Sequence, residues 1–223
     1  MTDVSLQRLN MVESQVRPSD VTDRRIIRAM GAVPREDFVP AHLKSVAYMD
    51  EAVPLTFDAA GRPLRQMLPA RVLAKLIQAA DLNETATVLD AGCGTGYATV
   101  ILARIVRRVA AVEPDAALAE RARTLLAAQG ITNAAIATGS IASGHPSESP
   151  FDAIILGGGV PEIPRALLDQ LKDGGRLIAI VTGARAGKAV ICTRSGGTYD
   201  TREIFDAFAA PLPGFGKAAA FAL

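Results

Sequence analysis

Short apolar runs alternate with amphipathic stretches over the second half of the chain. Five runs rich in Val, Ile, Leu and Ala have the length of β-strands: residues 87–90, 109–113, 134–138, 151–156 and 176–182. Three stretches carry apolar positions at helical spacing: residues 97–107, 116–129 and 164–172. Because near-continuous apolar strands that alternate with helices are typical of a sheet buried on both faces, the pattern predicts an α/β fold with a mostly parallel sheet.

The pattern changes towards the end of the chain. Residues 188–194, 199–208 and 217–223 are patterned as strands, and no clear helix pattern separates them. We therefore expect two closing strands, at least one of them antiparallel.

The first 60 residues differ from the rest in mixing charge with short apolar repeats. Three segments stand out: an amphipathic helix at 21–30, a proline-bounded connector at 33–40 and a helix at 69–80. Asp20 or Thr22 is placed to cap the first helix. We expect a helical extension over residues 1–80 and a core over residues 81–223, joined in one compact unit.

Composition narrows the class of protein. Of the 223 residues 49% are hydrophobic, which predicts an ordered chain with a sizeable core. A net charge of +1 excludes a generally basic nucleic-acid binder, and 4% aromatic residues leave few stacking platforms for single strands. No apolar run reaches the ~18 residues of a membrane span, and the N-terminus lacks the apolar core of a signal peptide. We expect a cytoplasmic protein that binds neither membrane nor nucleic acid.

Candidate metal ligands are few and scattered. The soft ligands are Cys93, Cys192, His42 and His145, without metal-type spacing. They form neither a disulfide framework nor a zinc site, and no metal is expected.

The most informative segment runs from a strand through a glycine-rich turn into a helix, Val88-Leu89-Asp90-Ala91-Gly92-Cys93-Gly94-Thr95-Gly96-Tyr97. Glycine lets a backbone approach a ligand closely and reach positive φ. The ligand of an open α/β sheet lies at the carboxyl ends of its strands. Glu113 ends the next strand, where a carboxylate can accept both hydroxyls of a ribose. Together these residues predict a nucleotide-type cofactor site.

The glycine spacing distinguishes two cofactors. Dinucleotide folds use Gly-x-Gly-x-x-Gly, whereas this turn reads Gly92-x-Gly94-x-Gly96. Asp90 before the first glycine suits a ligand with an amino group better than a pyrophosphate. The pattern is that of S-adenosylmethionine-dependent methyltransferases, with NAD binding and a purely structural turn as the alternatives.

The chain resembles the protein-L-isoaspartate O-methyltransferases over most of its length. The most diagnostic segment is Val33-Pro34-Arg35-Glu36-Asp37-Phe38-Val39-Pro40, which looks like the N-terminal signature of that family. Further similar segments are residues 25–30, 47–50, 53–55, 149–155 and 164–177.

The resemblance implies a Rossmann-like class I methyltransferase with a seven-stranded sheet and a helical extension over the substrate side. It implies S-adenosyl-L-methionine as cofactor and methyl transfer to isoaspartyl carboxylates in damaged proteins, which starts repair through a succinimide. In this interpretation Gly92, Gly94 and Gly96 receive the methionine end. Asp90 orients its amino group or the loop, and Glu113 holds the ribose.

Two positions depart from the family pattern. The family has an Ile-Ser-Gln-Pro segment whose serine lies at the acceptor. Alignment on Gly61 puts Arg65 at the serine, and alignment on proline puts Met67 there; no Ser or Thr lies between Thr56 and Thr85. The family also has Gly-Asp-Gly where this chain has Ser140, which is left to bond the adenine as a neutral group.

The acceptor side therefore has candidates and no assigned catalytic residue. The candidates are Arg65, Gln66 and Met67, and an arginine such as Arg62, Arg65 or Arg71 can hold an acceptor carboxylate through two hydrogen bonds. Without the serine we expect isoaspartyl methylation to be weak or absent. The acceptor is an isoaspartyl protein or peptide, with a small carboxylic acid as the alternative, and a third reading is a cofactor-binding protein without catalysis. The sequence leaves the oligomeric state open.

Overall fold

Nine strands and six α-helices make up most of the described chain, which covers residues 4–183 and 187–215 of a computed structural model. The strands are β1 (Val53–Phe57), β2 (Pro63–Met67), β3 (Thr87–Ala91), β4 (Arg108–Glu113), β5 (Ala134–Thr138), β6 (Phe151–Val160), β7 (Leu171–Val181), β8 (Lys188–Ser195) and β9 (Thr198–Asp206). The helices are α1 (Val4–Met11), α2 (Arg24–Ala32), α3 (Ala70–Ala79), α4 (Tyr97–Ala103), α5 (Ala116–Ala128) and α6 (Arg165–Leu168). Within residues 4–183 and 187–215, no helix is long and apolar enough to cross a membrane.

Seven strands form the main sheet in the order β5-β4-β3-β6-β7-β8-β9. The first five are parallel, and β8 and β9 are added antiparallel, each beside its predecessor. The predictions of a seven-stranded, mostly parallel sheet and of two closing strands are both confirmed. The predicted strand at 217–223 lies outside the described residues.

Apolar side chains cover both faces of this sheet, as the continuous apolar strands predicted. Alternate residues of β3 point to opposite faces: Val88 packs in one apolar cluster, Leu89 and Ala91 in the other. The first cluster also contains Met30 and Leu76 from the N-terminal extension. The extension therefore shares its core with the sheet, while the boundary at residue 80 stays a prediction.

The N-terminal signature contains the 3-10 helix Arg35–Phe38, and a second 3-10 helix, Ala41–Val46, follows it directly. The segment between α1 and α2 forms a π-helical stretch, Val12–Val16, and a 3-10 turn, Arg17–Ser19. Asp23 caps α2 by accepting the backbone N–H of Arg25, so the caps predicted at Asp20 and Thr22 are wrong. The helix predicted at 69–80 is confirmed as α3.

Several predicted boundaries are wrong for identifiable reasons. The helix predicted at 164–172 is the single turn α6, because Leu171 already pairs with Phe151 in the sheet. The predicted strand at 151–156 continues to Val160 as β6. The added part of the strand contains three glycines. A side chain does not fit at the first of them, because a Cβ at Gly157 would lie 2.3 Å from the carbonyl oxygen of Gly92.

A small hairpin, β1 paired antiparallel with β2, forms a second sheet. It was not predicted, and it carries Arg65, Gln66 and Met67. The chain after β9 also returns towards the main sheet: Gly159 donates its N–H to Ala210, and Leu212 donates to Gly159, both over 2.8 Å.

Candidate active site

The glycine turn after β3 has the backbone that its sequence predicted. Gly92, Gly94 and Gly96 have φ values of 85°, 57° and 87°. A Cβ at Gly94 would lie 2.8 Å from the Leu55 side chain, and one at Gly92 would lie 3.1 Å from Ile141 and from Leu212. Only glycine meets both requirements, positive φ and close approach, at these positions.

Glu113 ends β4 beside this turn and is fully buried. Its Oε2 accepts the backbone N–H of Gly94 over 2.7 Å and the Arg65 Nη2 over 2.8 Å, and its Oε1 accepts the N–H of Asp115 over 3.3 Å. Because β3 and β4 are parallel neighbours, their carboxyl ends bring the turn and the carboxylate together, as predicted.

Arg65 enters the same place from the hairpin. Its side chain is 7% exposed, and Nη2 also donates to the carbonyl oxygen of Gly92 over 3.0 Å. Its Nε is buried without a hydrogen-bond partner among the described residues. A buried ion pair such as Arg65–Glu113 is strongly destabilised when one partner is removed, because the other charge is left uncompensated.

Asp90, near the end of β3, is buried with half of its carboxylate unused. Oδ2 accepts the Thr99 hydroxyl over 2.6 Å, while Oδ1 has no partner among the described residues. Loss of hydration on burial, assisted by repulsion from Glu113, raises the pKa of Asp90 to about 6, against the lowering effects of Thr99 and Arg65. A bound cation would therefore gain a nearby acceptor that the protein itself leaves free.

The hairpin packs closely against the glycine turn. A cavity of about 30 Å³ separates the hairpin from the glycine turn. Its walls include side chains of both: Leu55, Gln66, Met67, Leu68, Asp90, Cys93 and Tyr97. Ligand pockets typically measure ~300–1,000 Å³, so this cavity is too small to hold a whole cofactor.

The three hairpin candidates differ in position. Arg65 and Met67 are buried, Gln66 is half-buried, and Gln66 and Met67 line the cavity. The other two arginines considered for acceptor binding are exposed and paired: Arg62 with Asp58 and Arg71 with Asp50. Arg65 is thus the one of the three arginines that lies inside the site.

Ser140 lies near the site but on its exposed side. Gly139 before it donates its N–H to the carbonyl oxygen of Glu113 over 3.2 Å, which fixes the loop beside β4. The next residue, Ile141, is buried against Gly92. Ile141 was missed, although a single large apolar residue in the polar loop 139–150 was the available signal.

Cys93 lies in the turn and is a buried free cysteine. Burial raises the pKa of its thiol well above the ordinary value, with Asp90 and Glu113 adding to the effect. A thiol whose pKa is raised stays protonated at neutral pH and is a poor nucleophile. No group of three or more His, Cys, Asp or Glu able to hold a metal ion occurs among residues 4–183 and 187–215.

The N-terminal signature supports the site through long-range contacts that the sequence alone does not indicate. Arg35 is fully buried and donates to the carbonyl oxygens of Ala47 and Leu68, each over 2.7 Å. Its guanidinium lies 5.0 Å from the centre of the Tyr97 ring. The Thr95 hydroxyl donates to the carbonyl oxygen of Phe38 over 2.6 Å. These bonds join the signature to the end of β2 and to the glycine turn.

The sheet order, the glycine turn after β3 and the carboxylate at the end of β4 define a Rossmann-like class I methyltransferase. The family model described as Protein-L-isoaspartate(D-aspartate) O-methyltransferase (PCMT) matches residues 7–206. The chain belongs to this family, whose methyl donor is S-adenosyl-L-methionine and whose acceptors are proteins or peptides. Membership of this enzyme family favours a methyltransferase over a cofactor-binding protein without catalysis.

Individual relatives agree over nearly the whole chain. The protein-L-isoaspartate O-methyltransferase of Herpetosiphon aurantiacus is 36% identical over 217 residues, covering 97% of this chain and 94% of that protein. The enzyme of the same name from a Roseiflexus species is 37% identical over 212 residues, covering 95% and 94%.

Two solved structures share the fold. One protein-L-isoaspartate O-methyltransferase superposes with a TM-score of 0.81 at 24% identity, covering 93% of this chain and 66% of that one. A Plasmodium falciparum protein described under the same name, in complex with S-adenosyl-L-homocysteine, superposes with a TM-score of 0.78 at 20% identity, covering 92% and 97%.

Proposed function

We propose that this protein transfers a methyl group from S-adenosyl-L-methionine to the carboxylate of isoaspartyl residues in proteins and peptides. The observation that carries the proposal is the buried pair of carboxylates, Asp90 and Glu113, on either side of the positive-φ glycine turn. The family and the names of the relatives supply the acceptor class.

The residues present fit the cofactor chemically. The free Oδ1 of Asp90 suits the amino group of the methionine end, and the two oxygens of Glu113 suit the ribose hydroxyls. Gly92 and Gly94 let the backbone approach the methionine end, and Ser140 with Ile141 borders the adenine. The part predicted for Gly96 stays a prediction, because a Cβ there would lie 3.0 Å from Leu126 and 3.2 Å from Ala122 of α5. The space does not fit without movement, because the cavity is about 30 Å³. We therefore expect the hairpin to move when the cofactor binds.

The chemistry asks little of the protein in proton transfer. When bound, S-adenosyl-L-methionine supplies a methyl carbon whose bond to sulfur breaks as a carboxylate oxygen bonds to it, giving S-adenosyl-L-homocysteine and a methyl ester. An acceptor carboxylate is already ionised at pH 7, so no strong general base is needed. The protein's task is to align the oxygen with the methyl carbon and to exclude water.

Arg65, Gln66 and Met67 are the acceptor-side residues in this proposal, since β2 carries them to the mouth of the glycine turn. One neutral hydrogen bond lost with the family serine contributes about 0.5–1.5 kcal/mol, or roughly 2–10-fold in rate. The expectation that isoaspartyl methylation is weak or absent without the serine stays a prediction.

Tritiated methyl transfer to an isoaspartyl peptide, beside its normal aspartyl twin, tests the proposal. Transfer to the isoaspartyl peptide alone is the expected result. Equal transfer to both, or none to either with the cofactor bound, contradicts it. Methylation of a small carboxylic acid instead would favour the alternative acceptor, for which the buried Arg65 cation is the supporting observation. The cytoplasmic location remains our expectation, testable by cell fractionation.

A further inference from the structure

Arg65 binds Glu113, the carboxylate that the proposed function assigns to the ribose of the cofactor. Its Nη2 lies 2.8 Å from Glu113 Oε2, which also accepts the N–H of Gly94. Ribose hydroxyls can bond Glu113 fully only when this guanidinium moves away.

A displaced Arg65 needs another anion. Its charge is buried, its Nε is already without a partner among the described residues, and a buried cation left unpaired is strongly unfavourable. The other carboxylate nearby is Asp90, whose free oxygen the proposed function assigns to the amino group of the cofactor. The acceptor itself brings a carboxylate to this side of the site.

We propose that Arg65 is the acceptor-recognition residue and that it exchanges Glu113 for the acceptor carboxylate when the cofactor binds. This inference rests on the proposed function. A planar guanidinium with a free Nε–H and Nη–H matches a carboxylate with two parallel hydrogen bonds, which a lysine or a serine cannot make. Arg65 is therefore a specificity-determining residue as well as the cation that holds Glu113 in the free enzyme.

The exchange requires that cofactor and acceptor help each other to bind. Cofactor binding frees Arg65 for the acceptor, and by linkage the acceptor raises cofactor affinity by the same factor. S-adenosyl-L-homocysteine reports this coupling without turnover, because it lacks the methyl group.

The first measurement is calorimetric titration with S-adenosyl-L-homocysteine alone. Arg65→Met removes the group that competes for Glu113, so we expect roughly 10-fold tighter binding, the scale of one charge-assisted hydrogen bond. Arg62→Met is the matched control, because the Arg62 side chain is 80% exposed on the same hairpin, and it should leave the affinity unchanged. Unchanged or weaker binding to a folded Arg65→Met protein overturns the exchange.

The second measurement is the affinity for an isoaspartyl peptide with and without saturating S-adenosyl-L-homocysteine. In the wild type we expect S-adenosyl-L-homocysteine to tighten peptide binding roughly 10-fold. The same peptide with its isoaspartyl carboxylate converted to an amide should show no such coupling. Arg65→Met should lose the coupling, and Arg65→Lys should retain part of it. Because the wild-type coupling needs no variant, a poorly folded Arg65→Met protein does not prevent the test.

The outcomes separate the inference from the proposed function. Isoaspartyl methylation with no coupling in the wild type, or with full coupling in Arg65→Met, overturns the inference and leaves the function standing. No methylation and no binding of the isoaspartyl peptide overturns both. Methylation together with coupling that depends on Arg65 and on the carboxylate supports both.

Discussion

Asp90→Asn is expected to stabilise the free protein at neutral pH and to do so less as the pH falls. Asp90 is buried, and burial raises the pKa of its carboxyl from 3.8 to about 6. Between these pH values the folded protein retains a proton that the unfolded chain has released. Asp90 therefore contributes stability at acid pH that is lost as the pH rises through about 6.

The size of the effect follows from the two pKa values. At 1.36 kcal/mol per pH unit, the interval from 3.8 to about 6 corresponds to about 3 kcal/mol of unfolding free energy. The wild type loses most of this stability between pH 4.5 and 7.5, and the Asn variant does not. Asn does not ionise, and its side-chain oxygen can still accept the Thr99 hydroxyl that Asp90 accepts over 2.6 Å. The difference in free energy of unfolding, variant minus wild type, should thus grow by about 2 kcal/mol over that range.

Urea denaturation followed by circular dichroism, at several pH values without cofactor, measures this difference. Asp58→Asn serves as the control, because hydrogen bonds from Arg62 lower the pKa of Asp58, so this group titrates below the range and its difference should stay flat. A difference for Asp90→Asn that is constant or falls with rising pH would refute the assignment of a destabilised carboxylate.

Three further predictions concern the cofactor site. Glu113→Ala should weaken S-adenosyl-L-homocysteine binding ~10–100-fold in calorimetry, since charge-assisted hydrogen bonds contribute about 1.5–3 kcal/mol each. Glu148→Ala should not, because Glu148 pairs with Arg108 at the opposite end of β4; equal affinities of the two variants would show that Glu113 does not bind the ribose. S-adenosyl-L-homocysteine at 100 times its dissociation constant should raise stability by about 2.7 kcal/mol in a thermal or urea assay, and NAD should have no effect; the reverse result would assign a dinucleotide site. Gly94→Ala should cost about 1–3 kcal/mol more than Gly174→Ala, because both have positive φ but only Gly94 faces Leu55 at 2.8 Å; similar losses in urea would show that the contact relaxes.

The parts of the site that the sequence predicted are the parts set by neighbours in the chain. The glycine turn follows β3 directly, and Glu113 ends the next strand along the chain. Parallel pairing then places both at one edge of the sheet. No longer-range knowledge is needed for these residues, and the apolar runs were enough to predict the seven-stranded sheet in combination with the family resemblance.

The parts that escaped prediction depend on contacts between distant segments. Arg65 reaches Glu113 across 48 positions, and Arg35 reaches Leu68 across 33. Polar residues in such segments look the same in sequence whether they face water or a buried partner. The helix predicted at 164–172 failed for a related reason, since its apolar spacing also fits a short turn followed by the start of β7.

The return of the chain end to the site has a consequence for synthesis. Leu55, near the beginning, and Leu212, near the end of the described chain, both close on the glycine turn. A ribosome adds ~5–20 residues per second, so a nascent chain spends several seconds with its sheet forming and one wall of the cofactor site missing. A small molecule that stabilises only the complete site gives no help during that interval. The growing polypeptide must therefore form most of its core through its own apolar contacts. The cofactor can stabilise the enzyme only after the segment that contains Leu212 has folded onto the glycine turn.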